Sequence, residues 1–207
     1  MDKNTETFNT WNKVATAYEE KFMQLSIYNK SYDAFMHLLP KDSAAVLDVG
    51  CGPGNVIKYM QTMRPNLDFL GVDVSEKMLS IAKKHNPTAK FIMGDARQLL
   101  KLNLKFDGIV AGFCLPYLSG VDSNNFVKDA CSILKENGLL YVSFVEGKEA
   151  LSGFQTNSNG ERMFFYYHQQ KDLMAALLAA NFKNIQVHKI PFRIGEEHTV
   201  LIAQRGI

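Results

Sequence analysis

The stretch Val46-Leu47-Asp48-Val49-Gly50-Cys51-Gly52-Pro53-Gly54 constrains this chain more than any other part of it. A short apolar run ends in an acid and then breaks into a loop with glycine at every second position. Gly50, Gly52 and Gly54 let the backbone take positive φ and let a ligand approach where a Cβ would collide. The residues that follow, Asn55 to Met63, read as a helix whose first N–H groups point back into the same crevice. A loop of this kind at a strand end is suited to holding a cofactor. It is not a dinucleotide loop, because counting from Gly50 the third glycine of Gly-x-Gly-x-x-Gly would fall at Asn55 and sits one residue early. It also lacks the Gly-Lys-Ser/Thr ending of a P-loop.

Two further strand ends carry acids. Phe69 to Val72 ends at Asp73, where a carboxylate in a doubly wound sheet can accept hydrogen bonds from both hydroxyls of a ribose. Lys90 to Met93 runs through Gly94 into Asp95-Ala96. An aspartate at a strand end can equally be a helix cap, but Ser75 already supplies a cap before Glu76-Lys77-Met78, which leaves Asp73 to face a ligand. Asp107 begins a strand rather than ending one and reads as structural.

These blocks, in this order and at these intervals, resemble the class I S-adenosylmethionine-dependent methyltransferases from about Ala44 to Phe144, with a looser echo to Arg205. The resemblance implies that Asp48, Gly50, Cys51, Gly52 and Gly54 lie against the amino acid end of the cofactor. It implies that Asp73, with Val74 and Met78, takes the ribose side and that Gly94-Asp95-Ala96 frames the adenine. Phe106 to Phe113 looks like the fourth strand, and Phe113 would face the reacting methyl. Trp11-Asn12-Lys13-Val14-Ala15-Thr16-Ala17-Tyr18 resembles the N-terminal lid of such enzymes, which places Tyr18 near the cofactor carboxylate. The alternative for this segment is an amphipathic helix whose aromatic stripe packs on the sheet.

The expected fold is α/β: a Rossmann-like, doubly wound, seven-stranded sheet behind an N-terminal helical lid. Helices are expected over 10–23, 30–39, 54–63, 75–85, 122–135 and 169–180, and strands near 45–49, 68–73, 90–94, 106–112 and 138–145. Strand-like Arg162 to Tyr167 follows an insertion. Strands near 184–190 and 198–204, joined by Arg193 to Glu197, read as a hairpin, so the last strand is antiparallel. The order 3-2-1-4-5-7-6 comes from the resemblance. One domain, 1–207, is expected, with residues 1–40 as the lid, 41–145 as the cofactor-binding half, and 146–207 as the acceptor-side insertion and C-terminal hairpin. Gln155 to Gly160 reads as an exposed turn.

At 207 residues and a formal charge of +2, with Lys and Arg spread evenly, the chain does not present a nucleic-acid or membrane-binding surface. The polar start and the absence of any long apolar run point to a cytoplasmic protein, monomer or homodimer. The three cysteines, Cys51, Cys114 and Cys131, have no metal-ligand spacing, so no metal is expected and reduced thiols fit best.

For the acceptor side, Phe113-Cys114-Leu115-Pro116-Tyr117-Leu118 departs from the Asn/Asp-Pro-Pro-Tyr signature of amino-directed methyltransferases and is more similar to the Leu-His-His-Leu stretch of small-molecule ones. Tyr117 is a candidate for hydrogen bonding to substrate or for core packing. His168 and His198 are candidate bases, each also readable as a structural histidine. Trp11, Tyr28, Tyr32, Glu146 and Tyr166 complete the candidate acceptor pocket. Period-two alternation sends Tyr166 and His168 to one face and Tyr167 to the other. The function implied is methyl transfer from S-adenosylmethionine to a small molecule. The alternatives are a regulatory module that binds the cofactor without turnover and a protein methyltransferase.

Overall fold

The computed structural model describes residues 2–157 and 159–207; Met1, and Ser158 within the expected turn at 155–160, lie outside the described residues. Two helices open the chain, α1 (Lys3–Phe22) and α2 (Asn29–Leu38). Strands and helices then alternate: β1 (Ala44–Val49), α3 (Asn55–Met63), β2 (Leu67–Asp73), α4 (Glu76–His85), β3 (Lys90–Met93), β4 (Phe106–Ala111), α5 (Gly120–Ile133) and β5 (Leu134–Val145). A small hairpin follows, β6 (Gly153–Thr156) and β7 (Arg162–Phe165), then α6 (Gln170–Ala179), β8 (Phe182–Arg193) and β9 (Glu196–Arg205).

The main sheet has the order β3-β2-β1-β4-β5-β9-β8. The first five strands are parallel, and β9 runs antiparallel to both β5 and β8. Once the separate β6–β7 hairpin is set aside, this is the expected order. The central strands are buried on both faces, which is why they read as continuous apolar runs. Alternation along them feeds two cores. Leu47 and Ile109 pack with Phe126, Val127 and Leu177 on one side of the sheet, while Val46 and Val110 pack with Phe35, Ile57 and Met60 on the other.

Some boundaries differ from the sequence reading. The first helix starts at Lys3, because Asp2 caps it through the Thr5 N–H. The C-terminal hairpin turns on Ile194-Gly195 alone, with Arg193 paired to Glu196, since Gly195 supplies φ +78° and permits a tighter turn than five residues. The insertion is not simply irregular, for Gly153 to Thr156 pairs with Arg162 to Phe165.

Helix α1 lies across the carboxyl ends of the strands and is held largely by polar bonds, its buried residues being only Thr7, Thr10 and Ala15. Toward the insertion, the Phe164 N–H donates to Thr7 Oγ1 at 3.0 Å and the Thr10 hydroxyl donates to the Arg162 carbonyl at 2.7 Å. Toward the sheet, Asn12 Oδ1 accepts from the Ser75 hydroxyl at 3.0 Å and the Lys77 N–H at 3.1 Å, and Glu19 meets His85 at 2.5 Å. The helix is therefore strapped to both halves of the molecule at once.

Gly54 caps α3 at φ +80°, and a Cβ there would collide with the Asn86 amide. Gly54→Ala is expected to cost about 1–3 kcal/mol of stability, measured by urea denaturation; an unchanged midpoint would show that the loop can relax.

Candidate functional site

The glycine loop is stitched to the end of β2. The N–H groups of Gly50 and Cys51 both donate to the Val72 carbonyl, at 2.8 and 3.0 Å, and the Gly52 N–H donates to Asp73 Oδ2 at 2.9 Å. All three glycines take positive φ, +67°, +52° and +80°. Asp73 Oδ1 accepts from the Ser75 N–H at 2.8 Å, while Ser75 Oγ caps α4 through Met78. The Ser75 cap is where the sequence places it, but Asp73 is not wholly free: the amides of Gly52, Val74 and Ser75 bond to its carboxylate, which keeps some acceptor capacity.

Behind this loop lies Asp48, 1% exposed, whose Oδ2 has no hydrogen-bond partner. Burial, and secondarily Asp73, push its carboxyl up to about 8. Burial also raises Asp73, against the opposing effect of its amide donors. Asp95 differs: desolvation would raise it, but the Arg97 guanidinium grips both oxygens and holds it below the ordinary range. That grip was not anticipated; the i, i+2 spacing of Asp95 and Arg97 is its only trace in the sequence. A ligand at this end meets Asp95 already paired.

These groups border a cavity of about 940 Å3. Of the proposed cofactor residues, Tyr18, Gly50, Cys51, Gly52, Asp73, Val74, Met78, Gly94, Asp95, Ala96 and Phe113 line it. Asp48 and Gly54 stand behind the wall, where Gly54 packs on Ala82 and Asn86. The opposite wall is aromatic. Trp11 meets Tyr18 and Tyr117 edge-on, at 5.3 and 5.1 Å between ring centres, and Tyr18 lies beside Gly52, 3.9 Å from where a Cβ would stand. Burial raises the Tyr18 phenol to about 12 and the Tyr117 phenol further.

On the acceptor side, Trp11, Tyr28, Tyr32, Tyr117 and Glu146 line the cavity, and Tyr166 and His168 do not. Alternation separates them from Tyr167 as expected, but it is Tyr167 that faces the large cavity. Tyr166 is pinned by its N–H to the Pro116 carbonyl at 2.7 Å, and His168 Nε2 bonds to the Leu115 carbonyl at 2.8 Å. His168 thus packs beneath the 3-10 turn Leu115–Tyr117 and borders a separate cavity of about 330 Å3. As a candidate base it is in the wrong place. Glu146 is ion-paired with Lys189 at 2.8 Å, which holds its carboxyl below the usual range.

His198 does reach the cavity, with Phe113 4.6 Å away and Phe192 stacked at 4.4 Å. Its Nδ1 makes a short hydrogen bond with the Tyr28 hydroxyl. Burial lowers the imidazole to about 4 and raises the Tyr28 phenol, so both partners are neutral near pH 7, and the histidine tautomer decides which of them donates. Phe113 holds φ +63°, steadied by its N–H to Ser143 Oγ at 2.7 Å. A bulky residue in that conformation is strained, and such strain gathers at functional sites. The sequence reading omitted Arg97, Phe192, Ser143, Lys13 and Lys21; the last two bring positive charge to the cavity beside Tyr18.

A family model described as a methyltransferase domain matches residues 46–138. The demethylmenaquinone methyltransferase of Thermotoga maritima is 32% identical over 105 residues, which is 51% of this chain and 45% of that enzyme, so the chain spans under half of that relative. The carboxy-S-adenosyl-L-methionine synthase of Campylobacter hominis is 27% identical over 78% of this chain and 68% of its own length. Among solved structures, magnesium protoporphyrin IX methyltransferase from Synechocystis with bound S-adenosylmethionine superposes with a TM-score of 0.74 at 19% identity, covering 100% of this chain and 98% of that one.

The buried Asp48 carboxyl carries a pH signature. Its folded pKa lies above the unfolded value near 3.9, so below about pH 4 it costs nothing, and the cost grows as pH rises toward 8. Relative to wild type, Asp48→Asn is expected to gain at least ~1.4 kcal/mol between pH 5 and pH 8, one pKa unit's worth. Paired urea denaturations at the two pH values measure it; an identical difference at both would show that Asp48 titrates normally.

Proposed function

We propose that this chain, which carries the methyltransferase domain and the class I S-adenosylmethionine-dependent methyltransferase fold, binds S-adenosylmethionine along the glycine loop and moves its methyl group to a small-molecule acceptor held under α1. One observation carries the reading: the glycine loop and two strand-end acids form one wall of a single cavity, and an aromatic wall closes it from the other side.

The residues present suit this cofactor. Asp48 Oδ2 is a buried carboxyl oxygen without a partner behind the glycine loop, and a cationic amino acid end on the other side of that loop would favour its ionised form. Asp73 has acceptor capacity left for ribose hydroxyls. Lys13 and Lys21 suit a carboxylate. When bound, S-adenosylmethionine supplies an electrophilic methyl on a sulfonium that leaves as a neutral thioether. What falls to the protein is alignment and the exclusion of water. Trp11 and Tyr18 of the strapped α1, with Tyr117 edge-on to Trp11, do the second.

In this reading α1 alone is the lid, because α2, which the expected lid over 1–40 included, packs Phe35 and Met36 into the core; 41–145 is the cofactor half and 146–207 the acceptor side. A module that only senses the cofactor would need no such room; about 940 Å3 lies at the upper end of small-molecule sites and leaves space beside the cofactor. A polypeptide acceptor is disfavoured by the same enclosure. No helix among the described residues is long and apolar enough to cross a membrane.

S-adenosylmethionine and S-adenosylhomocysteine are expected to bind and to stabilise the fold by about 2.7 kcal/mol at a hundredfold excess over Kd. Trp11, the single tryptophan, should change its emission on saturation. Calorimetry without heat from either compound, together with an indifferent Trp11 spectrum, would overturn the proposal.

A further inference from the structure

Tyr28 and His198 are the one hydrogen-bonded acid–base pair bordering the cavity among the described residues whose two members are both uncharged at neutral pH. Tyr28 stands at the N-terminal end of α2, and His198 on β9 is paired with Val145 on β5 and Ile190 on β8. The imidazole is clamped between Phe113 and Phe192 at 4.6 and 4.4 Å, and its plane lies within 8° of the Tyr28 ring. The pair packs on Phe113, at the end of β4.

We infer that Tyr28 and His198 form a proton relay for an acceptor hydroxyl, and that the acceptor is a neutral phenol-like aromatic. This deepens the proposed methyl transfer and rests on it. In the Nε2–H tautomer of His198, the one the relay requires, the Tyr28 hydroxyl gives its hydrogen to Nδ1 and its oxygen lone pairs remain to receive the acceptor O–H. As the methyl carbon bonds to the acceptor oxygen, the carbon–sulfur bond breaks and its electron pair leaves with sulfur. The acceptor proton passes to Tyr28 Oη and the tyrosine proton to Nδ1, leaving an imidazolium that later loses a proton to solvent. The products are an aryl methyl ether and a neutral thioether, with one proton released.

The charge pattern selects this acceptor class. Beside the pair, the carboxylates an ammonium acceptor would use are engaged: Glu146 is paired with Lys189, while Glu197 and Glu196 lie 3.8 and 3.9 Å from Lys189 and Arg193; Glu161, bonded to the Asn157 amide, lines the cavity on the insertion rather than on the hairpin that carries His198. A carboxylate acceptor is already ionised and gives the relay nothing to do. Phenols bring both a proton to lose and a ring to stack against Phe192 or Tyr167. The charged groups near the pair are Arg193 and Glu196 on its own hairpin, with the Lys189 ion pairs on the neighbouring strands; Tyr28 faces it from α2.

The test uses the full chain and a graded series from phenol to 4-nitrophenol, with benzoate as control. S-adenosylhomocysteine affinity is measured first by calorimetry for wild type, Tyr28→Phe and His198→Asn: no binding to wild type sinks the methyltransferase reading itself, whereas binding to the variants establishes that they fold. With binding retained, kcat toward weakly acidic phenols is expected to fall about 100-fold or more in both variants. KM should change little, and 4-nitrophenol, which is more acidic, should be affected least. Should His198→Asn fail to fold, Tyr28→Phe decides alone. Cofactor binding without methylation of any phenol, benzoate methylated in preference to the phenols, or losses equal across the series would each overturn the relay.

Discussion

Everything at the site depends on the bonds that tie the loop after β1 to the end of β2. The Val72 carbonyl accepts two loop N–H groups and Asp73 accepts a third. Donors used in this way hold the loop in its left-handed turns. Only glycine adopts those turns cheaply. The arrangement brings Asp48 and Asp73 together and out of water, which is why both carboxyls are raised. A cationic ligand beside them would relieve a cost that the empty fold bears.

The second dependence is on α1. A helix with so few buried apolar residues contributes little core, and its position rests on Thr7, Thr10, Asn12 and Glu19. Segments held in this way open at low free-energy cost compared with core strands. In the proposed reading this suits a cover that admits a cofactor and an acceptor and then excludes water around both, and because α1 touches β7 as well as α4, its closing over one ligand would also shape the pocket for the other.

The half of the molecule from β1 to β4 was legible in the sequence because its signals are local. Glycine spacing, apolar runs and acids at strand ends fall within a few residues of the structures they specify. The acceptor half was less so. Alternation separates Tyr167 from Tyr166 and His168 but does not say which side faces the cavity; that is set by the Tyr166 N–H bond to the Pro116 carbonyl, about fifty residues away. Tyr28 and His198, separated by 170 positions, meet only because β9 docks antiparallel on β5 in one register. Asp95 was expected to help frame the adenine, and Arg97 reaches it through a 3-10 turn that apolar periodicity does not reveal.

Amide hydrogen exchange with and without S-adenosylhomocysteine tests the account most directly, because it reads the loop, the strand ends and the cover in one experiment. Protection is expected at residues 50–56, 73–78 and 94–97, and along 11–22 of α1, with β8 little changed. Protection confined to other surfaces, or none at saturating ligand, would contradict it.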